Sequence, residues 1–65
     1  MHKIKELREA RGLTQEHVAQ QLGVTQGTVA NWETGARTPT LANLVRVADS
    51  LGVSLDEVYG RTAVS

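Results

Sequence analysis

Residues 25–34 read TQGTVANWET, a run rich in side-chain amides and hydroxyls. An amide offers an acceptor oxygen and two N–H donors in one plane, and a hydroxyl can do either job. Groups of this kind suit the donor and acceptor pattern on the edge of a base pair, or the oxygens of a phosphate. If Val29 and Trp32 turn inward, helical spacing sends Gly27, Ala30, Asn31 and Thr34 outward and leaves Gln26 at the flank of the first turn. A surface helix usually displays Lys and Glu. Small neutral groups instead permit close approach to another polar surface. The preceding stretch, QEHVAQQLG, has the spacing of a second short helix ending at a glycine. Residues 15–33 therefore have the layout of two helices joined by a tight turn, the second positioned to enter a DNA major groove. Periodicity alone fits any small helical bundle equally well.

Other chemistry finds little support. No nucleophile–base set, paired catalytic carboxylates or phosphate-cradling glycine loop is present, so no enzyme is expected. His2 and His17 have no cysteine partners in a chain without cysteine, and they read as solvated side chains; no metal and no cofactor are expected. One Trp, one Tyr and no Phe leave too few stacking platforms for a single-strand RNA binder. Trp32 reads as core by its periodicity.

The elements that must position this run are marked by their punctuation. Gly12, Gly23, Gly35, Gly52 and Gly60 each follow a helix-compatible stretch, and Thr14, Thr25, Thr40 and Ser54 each precede one. Ser54 with Glu57 has the form of a capping box. Leu13 with Val18, Val24 with Val29, Pro39 with Leu44 and Val53 with Val58 have the spacing of hydrophobic staples. These signals predict an all-α fold, a compact bundle of five helices near 2–11, 15–22, 26–34, 41–51 and 55–59. The predicted inward faces are Ile4 and Leu7; Val18, Ala19 and Leu22; Val29 and Trp32; Leu41, Leu44, Val47, Ala48 and Leu51; then Leu55 and Val58. Arg8 and Arg11 fall on the same stripe as Ile4 and Leu7. A guanidinium so near the core needs a carboxylate, and Glu33, beside Trp32, is the best placed. Spacing alone leaves open whether the two meet or stay solvated apart.

At 65 residues the chain forms one small domain, expected over residues 1–60, with a short frayed tail at 61–65. A domain of this size buries only about 60% of its unfolded surface. No apolar run is long enough to suggest a signal peptide or membrane span, and a cytoplasmic protein is expected. Formal net charge is zero, which argues against strong non-specific attraction to DNA. The charge is uneven: Lys3, Lys5, Arg8 and Arg11 oppose Glu6 and Glu9 at one end, while Asp49, Asp56 and Glu57 oppose Arg61 at the other.

The segments LREARGLTQEHVAQQLGVTQGTVANWETGARTP and LVRVADSLGVSLDEV resemble the Cro/C1-type helix-turn-helix family of phage-repressor-like regulators. The resemblance covers about residues 3–59. It implies a five-helix, lambda-repressor-like DNA-binding domain that acts as a dimer on double-stranded DNA, with a palindromic operator as partner. It also implies that Arg8 pairs with Glu33. Transferred to this chain, it assigns base reading to Gln26, Thr28 and Asn31. Gln15, Thr25, Gly27, Ala30, Thr34 and Arg37 then face phosphates or the groove. Gly27 and Ala30 depart from the family, whose members often carry contacting side chains there, so direct readout is expected to be sparse. The resulting expectation is a bacterial or phage transcriptional regulator, a repressor acting by operator occlusion with helix 26–34 in the major groove. A protein-interaction module, such as an antitoxin-like partner, is the alternative. Val53, Leu55, Val58 and Tyr59 are the expected dimer patch.

Overall fold

The computed structural model describes residues 2–59. Its elements are α1 (Ile4–Ala10), α2 (Gln15–Leu22), α3 (Gln26–Thr34), α4 (Leu41–Leu51) and α5 (Leu55–Tyr59). α2 packs on both α3 and α4, α1 bridges α3 and α4, and α5 closes against α4. One core joins them: Ile4, Val18, Ala19, Leu22, Val29, Trp32, Leu44, Val47, Ala48, Leu51 and Val58. Ala19 and Gly23 let α2 and α3 meet at a sharp corner. Gly23 has φ 70°, a left-handed conformation that costs glycine little. It is followed by a Val24 N–H donating to the Ala19 carbonyl at 3.0 Å.

The predicted caps form. The Thr14, Thr25 and Thr40 hydroxyls accept from the backbone N–H of His17, Thr28 and Asn43. Ser54 and Glu57 cap each other reciprocally: the Glu57 N–H donates to Ser54 Oγ at 3.2 Å and the Ser54 N–H to Glu57 Oε1 at 3.1 Å. The glycine cap expected at Gly60, and the tail at 61–65, lie outside the described residues.

Three expectations need correction. α1 is shorter than the predicted 2–11: Lys3 and Arg11 are its non-helical caps, and the Lys3 N–H donates to the Val58 carbonyl at 2.6 Å, tying the lead-in segment to α5. Leu41, expected inward, is 59% exposed. It sits one turn before Leu44, past the packed end of the stripe, where Pro39 is buried instead. The expected dimer patch is mostly consumed by the core: Val58 is fully buried, and Val53 and Leu55 pack against the core cluster. The large apolar residues left exposed are Leu41, Val45 and Tyr59.

One ion pair crosses the bundle. Arg8 Nε donates to Glu33 Oε2 at 2.7 Å and Nη2 to Oε1 at 3.0 Å, while Nη1 donates to the Leu13 carbonyl at 2.7 Å. The two side chains are 10% and 2% exposed, so α1, the turn after it and α3 are locked by a shielded, bidentate pair. Burial pushes the Glu33 carboxyl up, but hydrogen bonds from Arg8 and Gln15, with the charges of Arg8 and Lys5, outweigh it and hold Glu33 below the ordinary value of 4.5.

A depressed carboxylate contributes stability above its unfolded pKa and loses it as pH falls through the folded value. The urea midpoint is therefore expected to fall as pH drops from 4.5 downward, and Glu33→Gln is expected to flatten that fall. An unchanged acid profile in Glu33→Gln contradicts the assignment. In the same assay at neutral pH, Leu44→Ala is expected to cost about 2–5 kcal/mol, enough to unfold much of so small a domain. Leu41→Ala is expected to stay within about 0.5 kcal/mol.

Candidate nucleic-acid interface

α3 begins where Thr25, in extended conformation, caps the helix through its own hydroxyl. That hydroxyl accepts from the Thr28 N–H at 3.1 Å and lies 2.8 Å from Thr28 Oγ1. The two threonines are therefore coupled, and Thr28 is half-buried. Gln26, Gly27 and Asn31 are exposed, and Ala30 is half-buried between them. A Cβ built on Gly27 would meet only Thr25 Oγ1, at 3.9 Å. Packing within the chain therefore does not require glycine there.

At the other end of α3 the chain folds back on itself. The Thr34 hydroxyl donates to the Asn31 carbonyl at 3.3 Å and accepts from the Ala36 N–H at 3.4 Å. The Arg37 N–H donates to the Asn31 carbonyl at 3.1 Å. Thr34 thus shapes the exit of the helix, while the Arg37 side chain is exposed. Beside this exit lies a cleft of about 370 Å³ between α1 and α3, with Lys5 and Arg37 on its walls.

Gln15, at the first position of α2, does more than its expected phosphate role describes. Its Nε2 donates to Glu33 Oε1 at 2.9 Å, and its Oε1 accepts from Gln26 Nε2 at 2.6 Å. The structure thereby brings together Arg8, Glu33, Gln15 and Gln26 in one chain of hydrogen bonds, running from the bundle interior to the exposed first turn of α3. Sequence reasoning paired Arg8 with Glu33 but missed the link through Gln15 to Gln26. A signal was present: Gln26 and Glu33 are seven residues apart, two turns on one face, and an amide at the start of a neighbouring helix can span such a gap.

The other buried or bridging cations serve the fold. Arg11 Nε donates to the Leu51 carbonyl at 2.7 Å, and Arg46 Nη2 donates to the Leu22 carbonyl. Each satisfies a carbonyl at a helix C-terminus. Sequence spacing had not assigned either role. Arg11 and Arg46 are exposed too, but Lys3, Lys5 and Arg37 are the exposed cations whose side chains make no hydrogen bond among the described residues. Among the described residues, no group of three His, Cys, Asp or Glu side chains is placed to hold a metal ion. No helix there is long and apolar enough to cross a membrane.

Comparison with known proteins agrees with this geometry. A helix-turn-helix family model matches residues 4–58. The cryptic phage CTXphi transcriptional repressor RstR of Vibrio cholerae is 40% identical over 56 residues, covering 86% of this chain and 50% of its own length. The chain spans about half the length of that relative. The fold of the P22 c2 repressor, solved in complex with a synthetic operator, superposes with a TM-score of 0.74 at 24% identity, over 82% of this chain and 80% of that one. A part of the hydroxypropylphosphonic acid epoxidase of S. wedmorenis superposes too, with a TM-score of 0.78 at 37% identity, over 86% of this chain but 30% of the enzyme. The fold thus also occurs as a piece of an enzyme, and the polar face of α3 says more about function than the fold does. A family model that spans nearly every described residue, on a five-helix bundle of repressor type, places the chain in the Cro/C1-type helix-turn-helix family.

Proposed function

We propose that this chain binds double-stranded DNA sequence-specifically and regulates transcription, with α3 in the major groove and no catalysis of its own. The observation that carries this reading is the exposed Gln26 amide, held by Gln15 at the start of a helix whose outward residues are small or neutral. A glutamine amide can pair with adenine N6 and N7, worth roughly 1–3 kcal/mol of discrimination. Asn31 lies a turn further along the same helix and reads a neighbouring base. Thr28, half-buried and coupled to Thr25, contributes methyl contact more than hydrogen bonding. Gly27 and Ala30 let the helix backbone come close to the base edges. Gln15, Thr25, Thr34 and Arg37 border the groove and hold the phosphate backbone.

Of the five exposed cations among the described residues, Arg11 and Arg46 are committed to backbone carbonyls, so a single copy has little electrostatic grip. Two copies on a palindromic operator double the contacts, with half-sites about one helical turn apart. A homodimer sitting on its operator then blocks the polymerase, which makes repression by occlusion the simplest mode of action in a bacterial or phage-infected cytoplasm. The transcriptional repressor RstR supports this reading, as does the operator-bound state of the P22 c2 repressor.

Selection from random-sequence duplexes tests the proposal. A consensus is expected, with binding well above that to unrelated DNA at moderate salt. Gln26→Ala is expected to erase preference at one base pair per half-site. Arg37→Ala is expected to weaken all duplexes alike and to reduce the salt slope by about one per bound chain. Enrichment of no duplex over background sinks the reading.

A further inference from the structure

The hydrogen-bond chain behind Gln26 has a direction, and that direction has a consequence for which base is read. We propose that Glu33, acting through Gln15, is a positioning residue that fixes which way round the Gln26 amide faces and so sets a preference for adenine over guanine. The inference rests on the DNA-binding reading above.

Chemistry dictates the polarity. The Glu33 carboxylate can only accept hydrogen bonds, and it accepts two from Arg8. The Gln15 atom 2.9 Å from Glu33 Oε1 must therefore be its nitrogen. That turns the Gln15 oxygen toward Gln26. An oxygen accepts, so the Gln26 atom 2.6 Å away must in turn be its nitrogen. Neither amide can flip without setting oxygen against oxygen. Gln26 is left with one free N–H and a free oxygen, pointing away from Gln15. This pair complements adenine, which offers N7 as acceptor and the N6 amino group as donor in the major groove. Guanine offers two acceptors, N7 and O6, so the Gln26 oxygen would face O6.

The ion pair keeps Glu33 an acceptor. Its carboxyl is held below the ordinary range, so it remains ionised at neutral pH and the polarity persists. Because Glu33 is shielded, it does not touch the base directly, and its hydrogen bond toward Gln26 runs through Gln15. A glutamine in the position of Glu33 would present either oxygen or nitrogen, and the polarity of the chain would be lost. Without Gln15 the Gln26 amide is free to rotate and to offer both N–H groups.

The test compares two duplexes carrying the selected site, one with A·T and one with G·C at the base pair whose preference Gln26→Ala abolishes. The unmodified protein is expected to favour A·T by about tenfold or more. Gln15→Leu, at a half-buried position, is expected to bring that ratio to within about twofold of one while preference at the other base pairs is retained. Glu33→Gln is expected to lower the same ratio wherever it remains folded, as judged by circular dichroism. Without DNA, the Gln26 side-chain NH₂ resonances are expected to move in Gln15→Leu, since they lose their acceptor. Equal weakening of both duplexes by Gln15→Leu, with the ratio intact, overturns the positioning role and leaves Gln15 as a phosphate contact alone. Equal loss of preference at every base pair overturns it as well, since that is the mark of a loosened fold. If no duplex is selected at all, the DNA-binding reading falls, and the base preference falls with it. Movement of the Gln26 resonances would in that case show that the hydrogen-bond chain itself exists, so the two failures are distinguishable.

Discussion

The shielded pair between Arg8 and Glu33 is the interaction on which the presentation of α3 depends. α3 packs mainly on α2 through Val18, Ala19, Val29 and Trp32, and apolar contacts of that kind are non-directional. The guanidinium adds direction. It grips both oxygens of Glu33 and the carbonyl of Leu13, which sets the rotation of α3 relative to α1 and to the turn that enters α2. Replacing such a pair by apolar groups can be neutral or stabilising, whereas removing one partner costs about 3–5 kcal/mol. Its value here therefore lies more in specifying an arrangement than in adding net stability. The same carboxylate also anchors Gln15, so one buried charge both locks the helix and organises a surface amide.

The arginines explain how a chain of zero net charge can still belong to a family of DNA-binding domains. Arg8, Arg11 and Arg46 each donate to a backbone carbonyl where a helix or its following turn ends. They are engaged in structural hydrogen bonds, and their charge offsets that of acidic residues. Lys5 and Arg37 line the cleft beside the exit of α3, together with Glu6 and Glu33. A DNA interface of the composition proposed above would gain more from hydrogen-bond pattern and close approach than from counterion release.

Much of the fold was legible because local signals agreed with one another. α2, α3 and α4 begin and end where their threonine caps and glycines put them, and α5 begins where Ser54 and Glu57 put it. α1 has no side-chain cap, and the sequence could not reveal that Lys3 would bond to Val58, a contact across more than fifty residues. Leu41 misled for a related reason. Helical periodicity says which residues share a face but not how far along the helix its packing partner extends. For the interface, residue types and spacing brought Gln26 and Asn31 into view, and the family resemblance added Arg37. They said nothing of the bond between Gln15 and Glu33, which requires two helices to meet at a particular angle. Thr28 was assigned as a reader by the resemblance, and its hydroxyl lies 2.8 Å from that of its neighbour Thr25.

The most direct measurement of the central claim is a map of backbone amide shifts in the full chain as the selected duplex is added. The account predicts that the largest changes fall on the start of α2 at Gln15, along α3 from Gln26 to Asn31, and on the Thr34–Arg37 exit. Val47 and Val58 in the core should remain still. Changes centred on the Leu41, Val45 and Tyr59 surface, with α3 unmoved, would contradict it and identify a different face as the one that works.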